Sequence, residues 1–377
     1  MNRLPAASPD AIAASERLCA LIRTEIDAHG GWLTFDRYME LALYAPGLGY
    51  YAAGAHKLGD SAAGGDFVTA PELSPLFGRA LAAQVAQLFA HCAPRVLEFG
   101  AGSGALAAQL LDALAALGRP AERYAIVEVS ADLADRQRTR LAGRPVDWLA
   151  APPADFEGAI VANEVLDVLP VKLFAKRGAA TLARGVVWRE DRFAFADRPA
   201  DDELAAAVAE IESATGALPD GYVSEVGLAA RAWARTLPQW LARGAALLVD
   251  YGFPRAEYYH PQRIMGTIMC HYRHHAHADP FWLPGLNDLT AHVDFSAIAQ
   301  SAHEAGLDVR GYTSQAHFLL NCGLAEALRS ASAADKAAAH RLISEAEMGE
   351  LFKVLAVGRG IDAPLLGFAR GDRRHRL

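Results

Sequence analysis

Residues 95–105 read RVLEFGAGSGA, an apolar run with one acidic residue, followed by three glycines at alternate positions. Leucines then recur at helical spacing as far as Leu114. This order predicts a strand, a tight glycine turn and the start of a helix. Glycine has no Cβ, so its backbone can turn sharply and a ligand can approach it closely. The turn alone does not identify the ligand, because Gly100-x-Gly102-x-x-Ala105 also fits the loose dinucleotide fingerprint.

The charge of an acidic residue just before the glycines distinguishes between the candidate cofactors. The carboxylate of Glu98 lies two residues before Gly100 and would repel a pyrophosphate bound at the helix N-terminus. S-adenosylmethionine has no phosphate and carries a sulfonium and an ammonium, which a carboxylate attracts. The charge of Glu98 therefore favours S-adenosylmethionine over a nicotinamide dinucleotide.

A second acidic residue, Glu128, follows the next apolar run, residues 124–127. In nucleoside-binding α/β folds, an acid at the tip of the second strand, roughly 20 residues past the glycine turn, binds ribose hydroxyls. Taken singly, Glu98 and Glu128 could be ordinary polar residues where strands reach the surface. In this order, and in register with the glycine turn, they predict a nucleoside site.

A third polar group, Asn163, Glu164 and Asp167, follows the apolar run 158–162. Ligands of open α/β sheets bind outside the carboxyl ends of the strands. Glu164 and Asp167 are three residues apart and can face the same way on a turn or a first helical turn. Two carboxylates beside a methyl donor suit a guanidinium, because they bind its fork and leave one nitrogen exposed for attack. Alternatively, the pair only stabilises a helix N-terminus.

The alternation of strand and helix patterns over 94–174 predicts an α/β fold with a parallel sheet. Further patterns predict a first helix over Pro9–Ala28, a β-hairpin within 178–196, helices over 201–215 and 224–242, and a strand over 244–252. We expect a helical N-terminal lobe with a cofactor-covering loop over 1–90, and a core over 91–377. The core would contain insertions at about 176–240, 254–300 and 316–350.

A long glycine-rich loop leads into the segment GDFVTAPE, residues 65–72. Loops of this length are usually functional or mobile. Pro71 and Glu72 suit the start of a helix. Two interpretations stay open: a surface loop before a well-capped helix, or a lid over the cofactor.

Composition excludes several classes of protein. The chain has 377 residues, of which 52% are hydrophobic and 21% charged, as in folded proteins that exceed one minimal domain. Its net charge of −8 disfavours a general nucleic-acid binder. The four cysteines are far apart, which favours reduced thiols and a cytoplasmic location. We expect neither a signal peptide nor membrane insertion, because no apolar run is long enough.

Residues 270–279 are rich in histidine and invite a metal interpretation. They lack the paired thiols or the H-E-x-x-H frame of zinc sites, so we predict no metal. The segment is instead expected to line a substrate channel. His292, farther along, could accept a proton from the reacting nitrogen, or it could simply bond a backbone carbonyl in the core.

Several motifs together resemble the MidA-like family. They read GDFVTAPELSPLFGRAL, VLEFGAGSGALAAQLL, YAIVEVSADL, ANEVLDVLPV, LLVDYGF, GTIMCHYRHHAHADPF and LPGLNDLTAHVDF, and the resemblance extends from about residue 15 to 358. These are S-adenosylmethionine-dependent methyltransferases related to the mitochondrial complex I assembly factor that methylates protein arginine. The resemblance implies a class I, Rossmann-like, seven-stranded sheet whose last two strands, 307–313 and 352–358, are antiparallel.

The resulting prediction is a methyltransferase that uses S-adenosyl-L-methionine to methylate an arginine of a protein, by resemblance a subunit of respiratory complex I. The alternatives are an NAD-dependent oxidoreductase and a non-catalytic complex I assembly chaperone that retains the cofactor fold. A homodimer is left open. The predicted catalytic residues are Glu164, Asp167 and His292. The predicted cofactor-binding residues are Asp66, Phe67, Thr69, Glu98, Gly100, Ala101, Gly102, Gly104, Glu128, Val129 and Asn163.

Overall fold

The computed structural model describes residues 4–53 and 68–377. In this part of the chain the helices are α1 (Pro9–Ala28), α2 (Phe35–Tyr44), α3 (Ala70–Leu73), α4 (Pro75–Leu88), α5 (Ala105–Ala116), α6 (Ala131–Arg140), α7 (Asp202–Thr215), α8 (Leu228–Trp240), α9 (Arg255–Tyr258), α10 (Phe295–Glu304), α11 (Gln315–Asn321), α12 (Leu324–Arg329), α13 (Ala333–Ile343) and α14 (Met348–Leu351). Short 3-10 helices span Leu366–Phe368 and Arg374–Arg376.

The strands of the same part of the chain are β1 (Leu33–Thr34), β2 (Arg95–Phe99), β3 (Arg123–Val127), β4 (Val146–Leu149), β5 (Phe156–Asn163), β6 (Lys172–Arg177), β7 (Ala180–Arg189), β8 (Arg192–Pro199), β9 (Val223–Val226), β10 (Leu241–Phe253), β11 (Met269–Tyr272), β12 (His275–His277), β13 (Asp288–Thr290), β14 (Val293–Asp294), β15 (Asp308–Ser314) and β16 (Phe352–Arg359). None of the helices described combines the length and the apolar character needed to cross a bilayer.

The chain forms two compact units. The first contains residues 1–67, 167–230 and 254–294, and the second contains 68–166, 231–253 and 295–377. This division differs from the predicted boundary at residue 90. Residues 68–90 belong to the second unit because α4 buries Phe77, Leu81 and Val85 in the same apolar core as Leu106 and Leu110 of α5.

The second unit is an α/β structure built on one sheet. Its strands follow the order β15-β16-β10-β5-β2-β3-β4. The pairs β10–β5, β5–β2, β2–β3 and β3–β4 are parallel, as the alternation of strand and helix predicted. Strands β15 and β16 are antiparallel to their neighbours, so the predicted antiparallel pair at the end of the chain is confirmed. Helices α11–α14 fill the interval between them.

The first unit contains an antiparallel sheet in addition to its helices, and β1, from the N-terminal region predicted to be helical, pairs with β7 in it. The order is β1-β7-β6-β9, with β8 added to β7. The predicted hairpin is confirmed as β7 and β8. Helix α1 has the predicted bounds; Ser8 caps it by accepting a hydrogen bond from the N–H of Ala11, and it buries Leu18, Ile22 and Ile26.

One predicted helix, over 224–242, is wrong at its beginning. Residues Val223–Val226 form β9, which pairs with β6 through Lys172↔Val226 and Phe174↔Ser224. Only from Leu228 is the segment helical. The local pattern is compatible with a helix, and pairing with a strand some 50 residues away overrides it.

Candidate active site

The carboxyl ends of four neighbouring strands of the second unit lie side by side. Phe99 at the end of β2 pairs with Val127 of β3 and with Ala162 of β5. Asn163 at the end of β5 pairs with Val249 of β10. The residues that follow these strand ends therefore meet at one edge of the sheet, which is where open α/β sheets bind ligands.

The glycine turn follows β2 at this edge. Gly100, Gly102 and Gly104 have φ of 60°, 53° and 81°, a left-handed conformation that glycine adopts without steric cost. A Cβ on Gly100 would lie 3.0 Å from a side-chain methyl of Val165. The backbone thus turns and enters α5 at a place where side chains have little room. Ala101, within the turn, is buried.

Glu98 lies inside β2 rather than on the surface. Its side chain is only 2% exposed and Oε2 accepts a hydrogen bond of 2.6 Å from the hydroxyl of Tyr124. Burial raises the pKa of Glu98 to about 7, with a contribution from the negative charge of Glu128. A carboxyl group that is this deeply buried has little surface for direct contact with a ligand. A role for Glu98 in cofactor binding therefore stays a prediction that rests on its charge.

Glu128 follows β3, and its carboxylate is held from two sides. Oε1 accepts from the N–H of Ser130 and Oε2 from Nε2 of Gln137, each over 2.9 Å. Burial raises the pKa of Glu128, and these two hydrogen bonds oppose that shift. A carboxylate has about four lone-pair positions, so it can still accept from a hydroxyl group beside these two donors and the N–H of Val129. The neighbouring Val129 is 84% exposed and offers an apolar contact beside it.

Asn163 is the last residue of β5, and Glu164 follows it. Nδ2 of Asn163 donates to Oε1 of Glu164 over 3.1 Å, whereas Oδ1 of Asn163 is buried and has no hydrogen-bond partner within the described residues. Glu164 has φ of 54°, which is uncommon for a residue with a side chain, and its N–H donates to the carbonyl of Val249. Backbone strain of this kind costs about 1–3 kcal/mol and clusters at functional sites.

The segment after Glu164 contains no helix. Residues 164–171 form bends and turns that lead into β6, so the alternative in which Glu164 and Asp167 stabilise a helix N-terminus is wrong. The N–H of Leu166 instead donates to Oδ2 of Asp250 over 2.9 Å. Asp250 was not among the predicted site residues, although the acid in the run LLVDYGF was a usable signal.

Asp167 and His292 belong to the first unit, whereas Glu164 belongs to the second. The carbonyl of Asp167 accepts from the N–H of Ala291, so Asp167 and the segment of His292 lie together. The backbone of His292 is fixed by Thr267, which accepts from its N–H, and by Tyr258, which donates to its carbonyl. The structure thus fixes the position of the His292 backbone within this unit.

The segment before α4 is only partly described. Asp66 and Phe67, two of the predicted cofactor-binding residues, lie outside the described residues. Thr69 precedes α3 and its carbonyl accepts from the N–H of Leu73. Glu72 of α3 accepts hydrogen bonds from the hydroxyl of Ser103 and from Arg140, the latter over 2.8 Å. Sequence reasoning missed this link between α3 and the glycine turn.

The histidine-rich segment forms β11 and β12, which pair through Cys270↔His277. Nε2 of His277 contacts Oδ1 of Asn287 over 3.0 Å, and burial lowers the pKa of His271. Among the described residues, no cluster of three or more His, Cys, Asp or Glu side chains has a geometry that could hold a metal ion. The absence of a metal stays a prediction.

Comparison with known proteins identifies the family of this chain. Residues 77–313, more than half of the chain, match the model of a family described as S-adenosyl-L-methionine-dependent methyltransferases. The chain belongs to this family. This membership confirms the predicted family and cofactor, and it decides against the NAD-dependent oxidoreductase.

Similar proteins and a solved structure support the family assignment. It is 32% identical to protein arginine methyltransferase NDUFAF7, mitochondrial, of Mus musculus over 333 residues, covering 78% of this chain and 71% of that protein. The corresponding protein of Homo sapiens is 30% identical, with coverage of 78% and 70%. A crystal structure of a COG1565 superfamily member from Burkholderia thailandensis bound to S-adenosyl-homocysteine is 53% identical, with a TM-score of 0.95 over 100% of both chains. The predicted α/β methyltransferase fold is confirmed.

The residues at the sheet edge fit this cofactor. Gly100, Gly102 and Gly104 present backbone without side chains, Oδ1 of Asn163 is a buried acceptor that needs a donor, and Glu128 offers carboxylate oxygens. An ammonium donates and does not accept, and ribose hydroxyls donate readily. The donors of S-adenosylmethionine therefore match the acceptors present.

Proposed function

We propose that this methyltransferase transfers a methyl group to an arginine side chain of a protein. The observation that carries the proposal is the strained Glu164, whose carboxylate is oriented by Asn163 at the end of β5. The relatives at 30% and 32% identity, named protein arginine methyltransferases, support the choice of arginine.

Cofactor binding is proposed to use the edge of the sheet. The turn Gly100–Gly104 would hold the methionine part, and Oδ1 of Asn163 would accept from its ammonium. Glu128 would accept from the ribose hydroxyls, with Val129 against the adenine. When bound, S-adenosylmethionine supplies an electrophilic methyl on a sulfonium. Asp66, Phe67 and Thr69 are proposed to cover it.

Glu164 binds the arginine side chain that receives the methyl group. Its carboxylate can accept two N–H groups of a guanidinium in the bidentate geometry typical of arginine–carboxylate pairs. That pairing confines the positive charge to two nitrogens and leaves the third directed outward, and a fixed orientation lowers the barrier to attack. Asn163 keeps the carboxylate in place by donating to Oε1.

The other predicted roles remain part of the proposal. Asp167 is proposed as a second carboxylate for the guanidinium, and His292 as the acceptor of the proton that the guanidinium loses around methyl transfer. Three further points stay predictions: the substrate is a subunit of respiratory complex I, the location is cytoplasmic, and nucleic acid is not a partner. Whether the protein forms a dimer stays open.

Mass spectrometry of respiratory complex I from cells with and without this protein tests the proposal. We expect a methylated arginine on one subunit that disappears in the deletion and does not return with Glu164→Gln. Identical methylation in both strains would contradict it. The variant Gly102→Val distinguishes the chaperone alternative: if complex I assembly survives complete loss of cofactor binding, methyl transfer is dispensable.

A further inference from the structure

Gln137 connects three segments of the second unit. It lies on α6 and is fully buried. Nε2 donates to the carbonyl of Gly102 and to Oε2 of Glu128, each over 2.9 Å. Oε1 accepts from Nε1 of Trp148 on β4 over 3.0 Å. One side chain thus joins the glycine turn, the acid after β3 and the adjacent strand.

The chemistry of the partners fixes the orientation of this amide. The indole N–H of Trp148 can only donate, so it requires the oxygen of the amide. The carbonyl of Gly102 and the carboxylate of Glu128 can only accept, so they require the two N–H groups. All three hydrogen bonds are satisfied in one orientation, and a flip of the amide would break all of them.

Helix α6 also passes directly beside the turn. A Cβ on Gly104 would lie 3.3 Å from Cδ1 of Leu141 and 3.6 Å from Cα of Gln137. Because the helix backbone is this close, the position of Gln137 and that of the turn are mechanically linked. Packing of this density leaves little freedom for independent movement.

From these contacts we infer that Gln137 is the positioning residue of the cofactor site. It sets the distance between the glycine turn, which holds the methionine part, and Glu128, which binds the ribose. The inference rests on the proposed cofactor contacts of Gly102 and Glu128. Gln137 itself acts through these two residues and not by touching the cofactor.

The neutrality of the amide matters for the ligand. A lysine or arginine in this position would also hold Glu128, but its charge would cancel that of the carboxylate. Gln137 stabilises the ionised carboxylate by donation and leaves its negative charge in the site. That negative charge attracts a cationic methyl donor, whereas it would repel a pyrophosphate.

Calorimetric titration with S-adenosylhomocysteine tests the inference on the full chain. Gln137→Met keeps the length of the side chain and removes all three hydrogen bonds. We expect its affinity to fall roughly tenfold to a hundredfold, as for lost hydrogen bonds to a charged group. Trp148→Phe leaves Gln137 in place without its orienting donor, and we expect a smaller loss of roughly threefold to tenfold.

The pH profile separates positioning from general destabilisation. Gln137→Met removes a donor that opposes the raised pKa of Glu128. Its affinity should therefore decline at a higher pH than that of the unmodified protein when the solution is acidified. Gln84 supplies the control, since it is equally buried in the same unit and accepts from the N–H of Gly367. Gln84→Met should lower the melting temperature without changing affinity or its pH profile.

Unchanged affinity in folded Gln137→Met would overturn the inference. If that variant does not fold, unchanged affinity in Trp148→Phe would do the same. The affinity measured in this titration does not depend on which side chain receives the methyl group. Loss of binding in the variants, with no arginine methylation by the unmodified protein, would reject the proposed function alone. Arginine methylation with unaltered binding in the variants would reject only the role of Gln137.

Discussion

Asn163 donates from Nδ2 to Oε1 of Glu164 over 3.1 Å, at the point where β5 ends and the backbone of Glu164 becomes left-handed. The hydrogen bond holds one carboxylate oxygen of Glu164 directly after the end of the strand. A residue in a strained conformation persists only where its surroundings hold it. In this case the N–H of Glu164 is held by the carbonyl of Val249 on the adjacent strand.

Replacing Glu164 by Gln should reduce methyl transfer without affecting cofactor binding. The amide cannot pair ionically with a guanidinium, so we expect transfer to a peptide to fall roughly a hundredfold, about 3 kcal/mol. Affinity for S-adenosylhomocysteine should be nearly unchanged. Turnover with labelled cofactor and calorimetry measure the two quantities. Glu157→Gln, an exposed change at the other end of β5, is the control, and unaltered turnover in Glu164→Gln would remove it from catalysis.

Glu98 should make stability depend on pH. Its pKa is raised to about 7 in the folded protein, against an ordinary value of 4.5. Between these values the folded state binds more protons than the unfolded state, so stability falls as pH rises through this window. The full effect above pH 7 corresponds to roughly 3 kcal/mol.

Glu98→Gln should remove that loss, because Gln accepts the hydrogen bond of Tyr124 without ionising. Its stability relative to the unmodified protein should increase from pH 5 to pH 8, as measured by urea unfolding. Glu122→Gln, an exposed change just before β3, should show no such trend. A constant difference between Glu98→Gln and the unmodified protein across this range would contradict the raised pKa.

Gly100→Ala should damage the turn in two ways. Alanine pays roughly 1–2 kcal/mol for a left-handed backbone. Its Cβ would also lie 3.0 Å from Val165. We expect a lower melting temperature and a large loss of affinity for S-adenosylhomocysteine. Gly118→Ala is the matched control, since Gly118 has φ of 65° and nothing within 4 Å of the added Cβ. Equal affinity in both variants would argue against a cofactor role for the turn.

The contact of Glu72 with Ser103 and Arg140 should hold α3 to the glycine turn. Glu72→Ala should speed hydrogen exchange over residues 70–73, with little change in global stability, because partly exposed ion pairs contribute about 1 kcal/mol or less. Arg138→Ala removes an exposed pair with Asp135 on α6 and should leave that exchange unchanged. Slow exchange in Glu72→Ala would show that α3 is held by its packing alone.

Local patterns predicted the elements whose conformation depends on near neighbours. The bounds of α1 and of the strand before the glycine turn agree with the structure, since caps, periodicity and glycine act over a few residues. The helix predicted over 224–242 was wrong at its beginning, because residues 223–226 pair with β6 as β9.

The residues of the candidate site also differ in whether a local pattern predicts them. Glu98, Glu128 and the glycines were predicted as site residues from their order near the ends of β2 and β3, and this assignment stays a prediction. Gln137 was not, because nothing in a helical glutamine announces partners at Gly102, Glu128 and Trp148. Glu164 was predicted as a carboxylate, but its left-handed backbone was not.

The α/β core and the nucleoside site were predicted from glycine spacing and the order of charges along the chain, and the family from the resemblance of several motifs. The folded chain alone shows that Asp167 belongs to the first unit, that Glu98 is buried, and that the amide of Gln137 joins the glycine turn to Glu128. Burial and hydrogen bonding between distant segments depend on how the strands pair and the helices pack, which no local pattern encodes.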